Sequence, residues 1–189
     1  AVLWTNDPFL QDQVRIVIER SGSFLKEDGQ LPHHFEGADP VYQALSGEIQ
    51  TGPNVFWIKS AFNYATSSGD WDWLKSYMPT LRLASNFLFD LIDPELGLAK
   101  VPGSLMIDVF LRSNYTSDTN AMLVGFFLDF AEAEDFVGNT TGAALLRNIS
   151  ARMSQSMNTY LWDTASNDHY VTQWDGPEFG TIRDFVDYD

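Results

Sequence analysis

Residues Ser117 to Phe130 constrain the fold more than any other stretch of the chain. The segment opens with Ser117 and Asp118, either of which can accept hydrogen bonds from the free N–H groups of a first helical turn. It then runs apolar without a break from Ala121 to Leu128. A surface helix shows one apolar stripe, whereas this one is apolar all round. Eight residues are too few to cross a bilayer. The segment is therefore expected to form a helix buried on all sides, with its polar N-terminus opening at a functional face.

Four more helices are expected around it. Asp7-Pro8 is a cap followed by proline at the first helical position, and Leu10, Val14, Val17 and Ile18 recur at helical spacing, so helix one is placed at about residues 8 to 21. Thr51-Gly52-Pro53-Asn54 starts helix two, which is apolar nearly all round through Tyr64. Helix three runs from Trp71 to Ile92 with a clean stripe (Leu74, Tyr77, Met78, Leu81, Ala84, Leu88, Leu91) and a break expected near Pro79. Helix five runs from Thr140 to Tyr160, with Leu145, Leu146, Ile149, Met153, Met157 and Tyr160 inward.

Two alternations coincide. Helices two and four are apolar all round, while one, three and five are one-sided. The segments after helices one, three and five are long; the turns after two and four are short. Short connections make neighbouring helices antiparallel. If every neighbour is antiparallel, the three long segments meet at one end, together with the N-termini of the buried helices. The pattern describes an inner and an outer layer of helices with one decorated face, so the fold class is all-α.

Composition narrows the partners. The net charge of −15 disfavours a nucleic-acid backbone, and no Lys/Arg cluster offsets it. Without cysteine there is no disulfide, thiolate metal site or Cys nucleophile. No transmembrane span and no signal peptide is legible. Three N-x-[S/T] sites, at Asn114, Asn139 and Asn148, together with the acidity, point to a secreted or extracellular glycoprotein. No histidine or carboxylate spacing reads as a metal site, and no cofactor motif occurs.

The order of several short motifs resembles the six-hairpin glycosidases, the (α/α)6 toroid enzymes that include glucoamylase-like, trehalase-like, mannosyl-oligosaccharide-glucosidase-like and rhamnosidase-like members. Gln50-Thr51-Gly52-Pro53-Asn54-Val55-Phe56-Trp57, then Tyr64 and Ser68-Gly69-Asp70, resembles an aromatic inner helix ending in the family's "Y…TGD" turn. Asp118-Thr119-Asn120-Ala121 resembles the "D-x-N-A" start of the next inner helix. Leu161-Trp162-Asp163 with His169-Tyr170 resembles the helix exit. The likeness covers roughly residues 50 to 170. It implies that all 189 residues form one partial toroid domain, about half of the full barrel, completed by the remainder of a longer chain or by another subunit.

The resemblance implies hydrolysis of a glycosidic bond between two carboxyl groups. Asp108 is the candidate general acid, in the loop before the "D-x-N-A" helix; its neighbours Met106, Ile107, Val109 and Phe110 would raise its pKa. The second carboxylate is expected outside this chain. Arg112 is expected to pair with Asp108 or Asp118, or to hold a sugar hydroxyl. Asp118 is read as a helix cap first and a hydroxyl acceptor second. His33, His34 and His169 are candidate subsite residues. Trp57, Trp174 and Tyr170 are candidate stacking platforms, with Trp57 weighted toward the core and Trp174 the better platform. Glu36 and Glu48 are further loop carboxylates. The expected function is inverting hydrolysis of an oligo- or polysaccharide or glycan. The alternatives are a non-catalytic carbohydrate-binding or structural glycoprotein of the same fold, and a lyase; the strong negative charge suits the lyase's anionic substrate poorly.

Overall fold

The computed structural model describes residues 7–103, 105, 111–164, 168–178 and 182–183. Asp108, the expected acid, lies outside the described residues. The chain is predominantly helical, as its periodicity predicts. It divides into two compact units, Ala1–Tyr42 with Gly52–Phe89, and Gln43–Thr51 with Asp90–Asp189.

In the first unit, α1 (Pro8–Gly22) starts where the sequence places it. Asp7 accepts from the N–H groups of Phe9 and Leu10, and Pro8 occupies the position that needs no donor. Next, α2 (Gly52–Ser68) and α3 (Trp71–Asp90) form a hairpin. Tyr64 packs edge-on against Trp73, Trp57 against Tyr77, and Asn54 bonds to Ala84. As one member of each pair falls in number the other rises, which is the antiparallel arrangement that a short turn dictates. The turn is locked by Asp70, whose carboxylate caps α3 at the Trp73 N–H and accepts from the Tyr64 hydroxyl at 3.1 Å. Gly69 supplies the positive φ of 74° between them.

The expected break at Pro79 does not occur; α3 runs straight through it. Proline removes one bond to the carbonyl four residues earlier. Both Pro79 and Lys75 are exposed, so water can take that carbonyl, while Met78 and Leu81 stay buried on the other side. Val55, Ile58, Ala61, Ala65, Leu74, Leu81 and Leu88 form the buried seam. Each large member of such a seam contributes about 1.5–3 kcal/mol.

In the second unit, β3 (Tyr115–Thr116) leads into α4 (Ser117–Phe136), which pairs with α5 (Thr140–Tyr160). Asn139 caps α5 at the Gly142 N–H and donates to Glu134; farther along, Ser150 donates to the Val124 carbonyl. These contacts again run in opposite directions along the two helices. Phe126, Phe127 and Phe130 fill the buried side of α4.

The expectation of helices apolar and buried on every side needs correction. Phe56 of α2 is 42% exposed and Leu128 of α4 is 45% exposed, so each helix keeps a solvent stripe. Helix α3 is nearly as buried as they are, and Leu145 of α5 is outward at 59% exposure. Periodicity fixes a helix's phase only where polar residues mark one face, and α2 and α4 carry too few.

Short strands decorate the long connections. In the first unit, β1 (His34–Glu36) pairs antiparallel with β2 (Asp39–Val41). In the second, β4 (Trp162–Asp163) pairs with β5 (His169–Tyr170), and β6 (Gln173–Trp174) sits between β3 and β7 (Ile182–Arg183).

Candidate functional site around Arg112 and Asp118

The N-terminus of α4 brings together two of the expected site residues of the second unit, Arg112 and Asp118. The backbone N–H of Arg112 donates to the Pro102 carbonyl, and Val101 donates to Asn114, so residues 111–114 run beside 101–102 before β3 begins. From the other side, the β3–β6 register sets Tyr115 opposite Trp174 and Thr116 opposite Gln173. Arg112 is thereby enclosed between the two segments.

Its side chain is only 3% exposed. Nε lies 3.4 Å from Gln173 Oε1, Nη2 lies 3.4 Å from the Thr172 carbonyl, and Nη1 lies 3.6 Å from Asp118 Oδ2. A buried guanidinium needs a counter-charge, and Asp118 supplies it. Asp118 itself is 39% exposed, so the pair is buried at the cation and open at the anion. The other carboxylate oxygen of Asp118 accepts the Thr119 N–H at 2.8 Å, within the first turn of α4, where the helix dipole favours negative charge. Asp118 therefore meets one of the free N–H groups, as the sequence suggested. The cap position itself belongs to Thr116, and Ser117 is used differently: its N–H donates to Thr172 and its hydroxyl to the Val171 carbonyl.

Two residues of this cluster were not foreseen. Gln173 accepts from both Arg112 and the Ser113 N–H. Ser113 has a buried hydroxyl with no hydrogen-bond partner. Both are ordinary polar residues in loops, and nothing in one dimension joins positions sixty residues apart.

The aromatic expectations divide. Trp174 is no platform: it is 6% exposed, its face is stacked on Tyr160 at 5.5 Å, and Tyr115 lies at 5.5 Å beside it. It belongs to a core with Leu98, Met157, Leu161 and Val171. Trp57 is core as well, donating its indole N–H to the Ile18 carbonyl. Trp162 and Tyr170 are exposed rings of the second unit, 4.8 Å apart and edge-on across the β4–β5 pairing. Trp162 stood unremarked inside the helix-exit motif. His169 is half-buried on β5, opposite Asp163.

In the first unit, His33 and His34 face each other, Nδ1 to Nδ1 at 2.8 Å, with their rings perpendicular. One Nδ1 must donate and the other accept. His34 Nε2 lies 3.7 Å from Glu36. No group of three or more metal-ligating side chains occurs among the described residues. No helix there is long and apolar enough to cross a membrane.

Beneath the cluster, Tyr115 donates to Asp93 at 3.0 Å. The Leu96 N–H, then the Glu95 N–H and the Tyr115 hydroxyl, hold the Asp93 carboxyl below its usual range against the opposing effect of burial. Burial, reinforced by Asp93, pushes the Tyr115 hydroxyl well up.

The architecture has a counterpart among solved structures. The chain is similar to the GH78 family rhamnosidase of Bacillus sp. GL1, with a TM-score of 0.68 over 85% of its length and 16% identity. The likeness is one of helical fold. The chain spans 16% of that rhamnosidase's own length. No family model and no curated protein matches it. Within this fold, the Tyr64–Asp70 bond closes the turn between α2 and α3, and Asn120 holds the backbone of Ala99.

Proposed function

We propose that the chain is part of an inverting glycoside hydrolase of the six-hairpin type, a segment of an (α/α)6 toroid acting on a neutral glycan outside the cell. The observation that carries this reading is the likeness of the helical hairpins to those of a rhamnosidase, over 85% of the chain. The cluster at the start of α4 is compatible with it. Asp118, with 39% of its side chain exposed, is the proposed acceptor of a sugar hydroxyl, and the enclosed Arg112 holds it in place. Arg112 is a positioning residue in this scheme, because its own donors are turned inward. With its charge matched by Asp118, the cluster suits a neutral sugar better than an anionic one.

Asp108 remains the proposed general acid, four residues before Arg112 in the sequence. It would protonate the leaving oxygen while a second carboxylate, supplied by the rest of the enzyme, activates water on the opposite face of the sugar. His33, His34 and His169 are proposed to line subsites. Tyr170 stays a proposed stacking surface, and Trp162 joins it in place of Trp57 and Trp174.

The test is a screen of the full-length protein against p-nitrophenyl glycosides, α-rhamnoside included, followed by Asp108→Asn. Hydrolysis of at least one glycoside, and a fall in kcat of about 10²–10⁴-fold or more for the variant with its circular dichroism unchanged, is expected for loss of a general acid. An active parent whose Asp108→Asn variant keeps near-normal kcat overturns the assignment. A parent that binds but never cleaves glycans favours the non-catalytic alternative.

A further inference from the structure

A cavity of about 450 Å3 lies in the first unit, between the last turn of α1 and the β1–β2 hairpin. Val17, Arg20 and Ser21 line it from α1. Their spacing of three and four residues puts them on one helix face. Phe24 and Phe35 form a second wall, edge-to-face at 5.0 Å, and Gly37 and Ala38 of the hairpin turn complete it. The volume is within the range of small-molecule sites, which combine apolar walls with a few placed polar groups.

The charge at this place is the opposite of the chain's. Arg20 has no ion-pair partner among the described residues. The neighbouring cation, Arg15, takes Asp12 and Glu19, and Glu19 also accepts from Trp73. The hairpin's own carboxylates face away. Cross-strand partners share a face, and successive residues alternate. Phe35 pairs with Pro40 on the cavity side, so Glu36, paired with Asp39, belongs to the other face, with His34. The cavity therefore joins an apolar body to one uncompensated guanidinium, in a protein of net charge −15.

We propose that this cavity binds a small amphipathic carboxylate, an aryl or short alkyl body seated against Phe24, Phe35 and Val17 with its carboxylate on Arg20. A guanidinium takes a carboxylate through two parallel hydrogen bonds. A sugar ring fits less well. It carries several hydroxyls that need partners once desolvated, and the lining side chains offer only Arg20 and Ser21 as polar groups. The site is independent of the glycosidase reading.

The probes are 4-phenylbutyrate and 4-phenyl-1-butanol, which differ in the charged head, titrated at neutral pH by calorimetry and by amide NMR. The carboxylate should bind saturably and at least tenfold more tightly than the alcohol, moving the Ser21, Phe35, Gly37 and Ala38 amides. Arg20→Gln should erase the preference and Arg20→Lys should keep part of it. Phe35→Ala should weaken both probes; Phe35 is 46% exposed, so folding tolerates the change. Equal affinity for the two probes overturns the proposal. So does a preference that survives Arg20→Gln, or displacement of the carboxylate by methyl glycosides acting on the same amides.

Discussion

The side-chain oxygen of Asn120 accepts the backbone N–H of Ala99 at 2.7 Å, across 21 residues of chain. The same side chain donates to the carbonyls of Ala99 and Thr116, and the residue is fully buried. Asn54 does the corresponding work in the other unit. It accepts from Leu31 and donates to Gly29 and Ala84, also at zero exposure. In both units an asparagine in the first turn of an apolar helix ties the preceding long connection to that helix. Gly29 has to be glycine for this: its φ is 87°, and a Cβ there would meet the Leu83 carbonyl at 2.1 Å.

Replacing either clamp by alanine strands buried backbone groups, at about 1–3 kcal/mol for each one left unsatisfied. Asn120→Ala and Asn54→Ala should each lower the urea midpoint clearly, with Asn→Asp no rescue because the amide donors are lost. A midpoint unchanged within error would show that these bonds are replaced by water.

The ion pair of Arg112 and Asp118 should respond asymmetrically. Asp118→Asn leaves a buried guanidinium without its counter-charge, and losing one partner of a buried pair costs about 3–5 kcal/mol, less here because Asp118 is partly solvated. Arg112→Met removes the buried charge and should be the milder change in denaturant melts. The reverse order would mean that Asp118, not Arg112, depends on the pair.

Asp93 links stability to acid. Its folded-state pKa is depressed, so its contribution is present above the unfolded value of about 3.9 and is lost as pH falls through the lower folded value. Tyr115→Phe removes one of its three donors, and should cost about 0.5–1.5 kcal/mol near neutrality and less at pH 2 to 3. Thermal melts of parent and variant across pH 2 to 7 measure the difference; a gap that widens in acid contradicts the linkage.

Trp174 and Trp162 separate packing from surface. Trp174→Ala should destabilise by about 3–5 kcal/mol, as large-to-small changes of buried aromatics do. Trp162, 37% exposed, should cost far less, and its loss should weaken glycan binding if the proposed function holds. Equal stability losses would place Trp162 in the core.

Of the three sequons, Asn148 is the one that is exposed and makes no side-chain hydrogen bond among the described residues. Asn114 donates to the Asp175 carbonyl, and Asn139 is committed to capping α5. If the native protein is secreted as proposed, peptide mass spectrometry should find Asn148 the most fully glycosylated of the three. Occupancy at Asn114 or Asn139 with Asn148 bare would go against that.

Local signals determined the helices. Asp7-Pro8 fixed the start of α1, Gly138-Asn139 the entry to α5, and long apolar stretches marked α2 and α4, because caps, turns and periodicity act within a few residues and need no distant partner. The motifs around Asn54 and Asn120 were visible as a family likeness, but not as clamps, since the connections they tie down lie 21 to 25 residues back in the chain. Tertiary structure alone decided which rings face water: Trp174 is enclosed because a β-pairing between residues 115–116 and 173–174 sets it against Tyr115, while Trp162 is left outside. It also decided that Arg112 is buried while its partner Asp118 stays open. Burial depends on what the rest of the chain places alongside a residue, and that is set by pairings across sixty positions that leave no periodic trace in the sequence.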